Sequence, residues 1–321
     1  MFKVQTRKNE NFFYGLIKSL KKHFTDEEVK FRYQIVLSLT ILPIFSVLIM
    51  YGFLTVFLQF DLYFFQANET KGIIGFEETY YHYIFTHLSV YLPYVVGFVI
   101  FNIFAGIYIS QMLLRPFKSI GDYCESFMQN KNLSYDPDFF SELKLLTRFS
   151  EYFFTKINDW KEKGQASTVK IPIKYTRIHK PVLEVSFFIQ YFSFVLITAL
   201  CAAILVFSAT IEVHQQIMSL AREILPESPS IFYFLEKQRS VLDIILMAAL
   251  LIHVVLYVFY SISLYKKVSG PAFGIFATFR AFLKGNTHSR VHLIGSYFLR
   301  PQCRKINAFL KYVEKEYVKN N

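Results

Sequence analysis

The sequence predicts an all-α membrane protein of four transmembrane helices, laid out as two repeated hairpins, each followed by a pair of cytoplasmic amphipathic helices. Three observations carry that prediction. Four apolar runs are long enough to span a bilayer, basic residues alternate between rich and poor segments, and structural markers recur at a single offset.

The runs cover 33–58, 88–113, 186–211 and 241–265. A helix crosses the hydrocarbon core with about 20 apolar residues, so each suffices. The first is too long and too far from the start for a cleaved signal peptide. Over the whole chain 53% of residues are hydrophobic and the formal charge is +11. In a soluble protein that charge would point to nucleic acid or an acidic partner, but no stretch has the context that nucleic-acid readers need. The expected surroundings are a lipid bilayer and its anionic headgroups.

Basic residues set the expected orientation. Eight Lys and Arg lie in 1–32, twelve in 114–185 and eleven in 266–321, against one in 59–87 and three in 212–240. Both termini and the central segment are therefore expected in the cytoplasm. Cys124, Cys201 and Cys303 lie far apart and form neither a disulfide framework nor a metal-binding pair.

The repeat is clearest in its layout. Phe31-Arg32-Tyr33-Gln34 opens the first run and Phe187-Phe188-Ile189-Gln190 the third, 156 positions on. Pro116 follows the second run and Pro271 the fourth. After Pro116 the apolar face is Ile120, Tyr123, Cys124, Phe127 and Met128; after Pro271 it is Ile275, Thr278, Phe279, Phe282 and Leu283, at the same spacings. These spacings are one face of a helix, and proline suits a helix start. Asn130 and Gly285, fourteen residues after each proline, tolerate a positive φ.

A second helical pattern follows in each half. Leu143, Leu146, Ser150, Phe153, Ile157 and Trp160 alternate in steps of three and four, the spacing of a coiled-coil seam. Leu299, Gln302, Ile306, Phe309, Val313 and Glu316 repeat those steps 156 positions later.

This layout resembles the HAMP relay module of bacterial chemotaxis transducers and histidine kinases. Ser269-Gly270-Pro271 matches the start of the module's first helix, Asn132-Leu133-Ser134 its connector, and Ser141-Glu142-Leu143 the start of its second helix. Asn130 stands where the family has Gly, and Tyr297-Phe298-Leu299 lacks the family's acids. The resemblance implies a parallel four-helix bundle, which the family assembles from two subunits; here one chain carries all four helices, implying an intramolecular pseudo-dimer. It also implies a bacterial inner-membrane location. The implied division is an amphipathic helix over 1–32, a hairpin over 33–113, a module over 114–160, a linker over 161–185, a second hairpin over 186–265 and a second module over 266–321. The linker must return along the bundle to the membrane.

No catalytic constellation is legible: there is no phosphate-binding glycine loop and no nucleophile set in context. The expectation is a non-enzyme without cofactor or metal. His82, His87, Glu77 and Glu78 read as part of a solvated loop, His253 as a neutral histidine bonded between helices, and His288 and His292 as solvent-facing without acids nearby. The expected function is an inner-membrane signalling adaptor, relaying conformational state to a separate membrane or cytoplasmic protein that carries the output. The alternative is a scaffold or accessory subunit of an envelope machine. A transporter subunit fits less well, because the repeats share one orientation.

Overall fold

The computed structural model describes residues 26–70, 75–129, 135, 143–167, 169–225 and 228–318. Among them are helices and connecting turns, with no strand. In chain order these are α1 (Glu27–Phe65), α2 (Phe76–Leu88), α3 (Leu92–Met128), α4 (Lys144–Lys163), the single turn α5 (Ile173–Thr176), α6 (Val185–Ile224), α7 (Pro229–Leu283) and α8 (Arg300–Val313). The segments holding α1, α3, α6 and α7 are each long and apolar enough to cross a membrane. The first 25 residues of the expected amphipathic helix, Asn130 and most of the first connector lie outside the described residues.

The helix ends follow from local chemistry. Asp26 caps α1, its carboxylate accepting from the Glu28 N–H at 2.9 Å; a side-chain acceptor there satisfies an otherwise unpaired donor. Gly285 closes α7 with φ +98°. Its N–H donates to Phe282 O, and the Asn286 N–H donates to Ala281 O, both at 3.1 Å, the paired bonds that a left-handed residue makes possible.

Pro116 and Pro271 do not start helices: α3 and α7 run through them. An interior proline costs about 3 kcal/mol. The buried stripe is nevertheless unbroken across each one, as Leu113, Phe117 and Ile120 in α3 and as Val268, Ala272 and Ile275 in α7. Burying each large apolar side chain contributes about 1.5–3 kcal/mol, so two or three in phase outweigh the missing hydrogen bond.

The chain divides into two compact units. One comprises residues up to Ile35, Gly106–Phe192 and Ile262 onward. Its core is aromatic and lies between the end of α3, α4, the end of α7 and α8. The other comprises Val36–Ala105 and Ser193–Ser261. Its surface exposes Leu48, Val56, Phe104, Ile204, Leu251 and Phe259 among many others, as helices meeting hydrocarbon do.

The second unit also corrects a reading of the sequence. The segment 59–87, read from the sequence as a solvated loop, is largely helical, and so is 212–240. Leu58, Leu62 and Phe65 of α1, Tyr80 and Ile84 of α2, Val213 and Ile217 of α6, and Ile231 and Leu235 of α7 form one buried cluster. Their steps of three and four residues carry the apolar helix face on beyond the bilayer-length runs.

Candidate functional site

The residues singled out by the two matched patterns meet in the first unit. Pro116, Ile120, Phe127, Leu143, Leu146, Phe153, Ile157, Pro271, Ile275, Phe279, Phe282, Leu299, Ile306, Phe309 and Val313 are all buried there. Phe153 of α4 stacks on Phe279 of α7, centroids 4.1 Å apart and planes inclined by 4°. The Phe153 ring also meets Phe282 and Phe309 edge-on. Phe127 of α3 meets Phe309 of α8 edge-on at 5.2 Å. Aromatic pairs in these arrangements contribute about 0.5–1.5 kcal/mol each beyond their burial. Gly285 is exposed at the end of α7, away from this core.

The second seam departs from its expected register at the end. Glu316 is only half-buried while Glu314 is buried. The cause is a π turn over Glu314–Val318, which adds residues per turn and rotates the face. Glu314 is held by Arg290 and by His288 Nδ1 at 2.9 Å. His288 is therefore exposed, as expected, but it does have an acid beside it.

The helix starts make crossed contacts. Glu27 and Glu28, at the start of α1, face α8: Arg300 pairs with Glu27 at 2.5 Å, and Gln302 Nε2 donates to Glu28 at 3.0 Å. Lys118 of α3 also pairs with Glu28. Beside them Phe31 stacks on Phe298 at 4.1 Å. Glu184, just before α6, caps α4: its carboxylate accepts from the N–H groups of Lys144 and Leu145, the latter at 3.1 Å. Glu184 stands 156 positions after Glu28, and Arg300 stands 156 after Lys144. An anion there also complements the positive end of the α4 dipole.

The return segment is pinned along the same unit. Tyr152 Oη donates to Lys170 O at 3.2 Å, and Arg280 donates to the carbonyls of Tyr175 and Ile178 at 2.9 and 2.6 Å. The Tyr175 ring packs edge-on against Phe149. On α8, Lys305 bridges Asp122 and Glu125 of α3, each at 2.7 Å, and these bonds hold its ammonium above the usual lysine range. Burial pushes the neighbouring Cys303 thiol up to about 11.

In the second unit His253 of α7 sits between two helices. Its Nδ1 pairs with Ser46 Oγ at 2.7 Å and its Nε2 with Ala199 O at 3.1 Å. With an acceptor carbonyl at Nε2, the neutral tautomer protonated there satisfies both contacts. Among the described residues no group of three His, Cys, Asp or Glu is placed to hold a metal. His87 Nδ1 instead turns to the Tyr83 carbonyl at 2.8 Å.

One polar contact escaped the sequence reading. Asp61 of α1 is buried and accepts from Gln238 Nε2 of α7. The signal is a single acid inside a mostly apolar stretch, Phe57-Leu58-Gln59-Phe60-Asp61-Leu62. Comparison of the chain with protein-family models, with curated proteins and with solved structures found no match.

Proposed function

We propose that this protein is a membrane signalling adaptor of the bacterial inner membrane, in which both halves of one chain build a single HAMP-like relay bundle for a separate output protein. The observation that carries this reading is the crossed pairing. Glu28 of the first half meets Gln302 of the second, and Glu184, which stands 156 positions after Glu28, caps α4 of the first. Repeat-related contacts that cross between halves are what a pseudo-twofold arrangement requires. The basic segments 1–32, 114–185 and 266–321 favour a cytoplasmic bundle. A helix that enters the bundle without a break transmits a tilt or rotation of its membrane portion to the aromatic core. Such a core responds by switching between two packings rather than by continuous deformation.

The test is purification of the full chain in native nanodiscs, with mass spectrometry of co-purifying proteins, for the wild type and for Ile120→Ala, Phe127→Ala, Ile275→Ala and Phe282→Ala. A relay gives a stoichiometric partner with a catalytic, motor or transport domain, whose occupancy or activity changes in the variants at unchanged chain abundance. Assembly that ignores the variants, or that falls only with chain abundance, identifies a scaffold of an envelope machine instead. A chain that emerges without any partner in every sample overturns both readings.

A further inference from the structure

Asp61 is 0% exposed, and among the described residues no cation pairs with it. Its Oδ1 accepts from Gln238 Nε2, yet its Oδ2 has no partner. Gln238 Oε1, the other end of the same amide, is likewise buried and unpartnered. Two acceptors are thus left orphaned on one pair of side chains that already share a hydrogen bond. Buried polar atoms without partners are rare in native proteins, and a buried carboxylate without a counter-charge neutralises instead.

The groups on every neighbouring element leave this imbalance in place. From α2, Tyr80 is buried close enough to feel the Asp61 charge, but its hydroxyl donates to Leu58 O at 3.4 Å. From α6, His214 lies against Phe57, one turn before Asp61, and its charged neighbours are Arg239 and Asp243 of α7. On α7 itself, Arg239 pairs with Asp243 at 3.3 Å. No Lys, Arg or His makes an ion pair with Asp61 among the described residues.

One proton resolves both orphans together. We propose that Asp61 is a proton-binding site whose protonated Oδ2 donates to Gln238 Oε1, closing a two-bond acid–amide ring that joins α1 to α7. A carboxylic acid and a primary amide are complementary in this way: each presents one donor and one acceptor side by side. The pattern survives an exchange of the amide's nitrogen and oxygen, which merely places the proton on Oδ1. The step is an association only: a proton from the aqueous phase forms an O–H bond on the carboxylate, and nothing leaves. The enclosure of Asp61 selects the ligand, since a group with no accessible surface admits a proton and excludes a metal cation or an organic molecule. Raising the pH removes the proton, restores two facing acceptors and weakens the link between α1 and α7.

The inference does not depend on the relay reading. It is tested by infrared spectroscopy of the full-length protein in nanodiscs, with and without ¹³C-labelled aspartate. A protonated-carboxyl band at neutral pH that shifts on labelling, is absent from Asp61→Asn and fades as the pH is raised is the expected result. Asp61→Asn reproduces the ring, its amide donating to Gln238 Oε1, so its thermal midpoint should match the wild type near pH 4, where an unfolded aspartate is also protonated, and should exceed it increasingly as the pH rises toward the site's own titration. Asp61→Ala should melt lower than Asp61→Asn at every pH. Absence of a label-sensitive band at neutral pH overturns the proposal, whether or not the variants fold. So does an Asp61→Asn protein as unstable as Asp61→Ala.

Discussion

Phe153 and Phe279, 126 positions apart in sequence, lie ring on ring with centroids 4.1 Å apart and planes nearly parallel. Each belongs to a different half of the chain, and each is fully buried. Phe153→Ala and Phe279→Ala are each expected to cost about 3–5 kcal/mol, the usual cost of truncating a core phenylalanine. The double variant should cost less than their sum, by about 0.5–1.5 kcal/mol for the lost ring pair. Denaturant unfolding of the four proteins in one detergent measures that coupling.

The Glu184 cap gives a local test of the crossed contacts. Glu184→Ala removes both acceptors from the first turn of α4 and should destabilise it by about 0.5–2 kcal/mol, as loss of a helix cap does. Hydrogen exchange should accelerate at Lys144–Arg148 and leave α8 unchanged. Glu28→Ala should loosen the region around Arg300–Gln302 and leave α4 unchanged.

Cys303 offers a pH-dependent test. With its thiol pushed up to about 11, the thiolate at about pH 8 should be roughly two-hundredfold scarcer than that of a free cysteine with pKa about 8.5. The raised value favours the neutral thiol, so reactivity should climb steadily until the pH passes the thiol's own titration. Maleimide labelling rates of a Cys124→Ala, Cys201→Ala protein, followed against pH, measure this. A rate that levels off near pH 9 would contradict the burial seen at this site.

Ser46→Ala should be mild. It removes one of the two partners of His253, and hydrogen bonds between membrane helices contribute about 0.6 kcal/mol on average, with a maximum near 1.7. His253→Leu removes both bonds and should cost more than Ser46→Ala. Thermal unfolding in bicelles orders the two variants.

The local features were legible in the residues themselves. Bilayer-length runs, the apolar face from Ile120 to Phe127 and the 3-4 seam from Leu146 to Ile157 are periodic patterns, and periodicity is a property of neighbouring residues. Pro116 and Pro271 were misread for the same reason. Viewed locally, a proline ends or begins a helix, whereas the in-phase burial of Leu113 with Phe117 and of Val268 with Ala272 carries the helix through.

The sequence by itself determined an all-helical chain with four membrane-length helices and four amphipathic faces that demand burial. Only the tertiary structure decided what buries them. The stacking of Phe153 on Phe279, the capping of α4 by Glu184, the pairing of Glu314 with Arg290 and the joining of Asp61 to Gln238 each unite residues from different segments of the chain. An amphipathic stripe states that a partner is needed, because apolar surface must leave water. It does not identify the partner, since the hydrophobic effect has no direction. That choice comes from the directional contacts, which exist only once the helices have met.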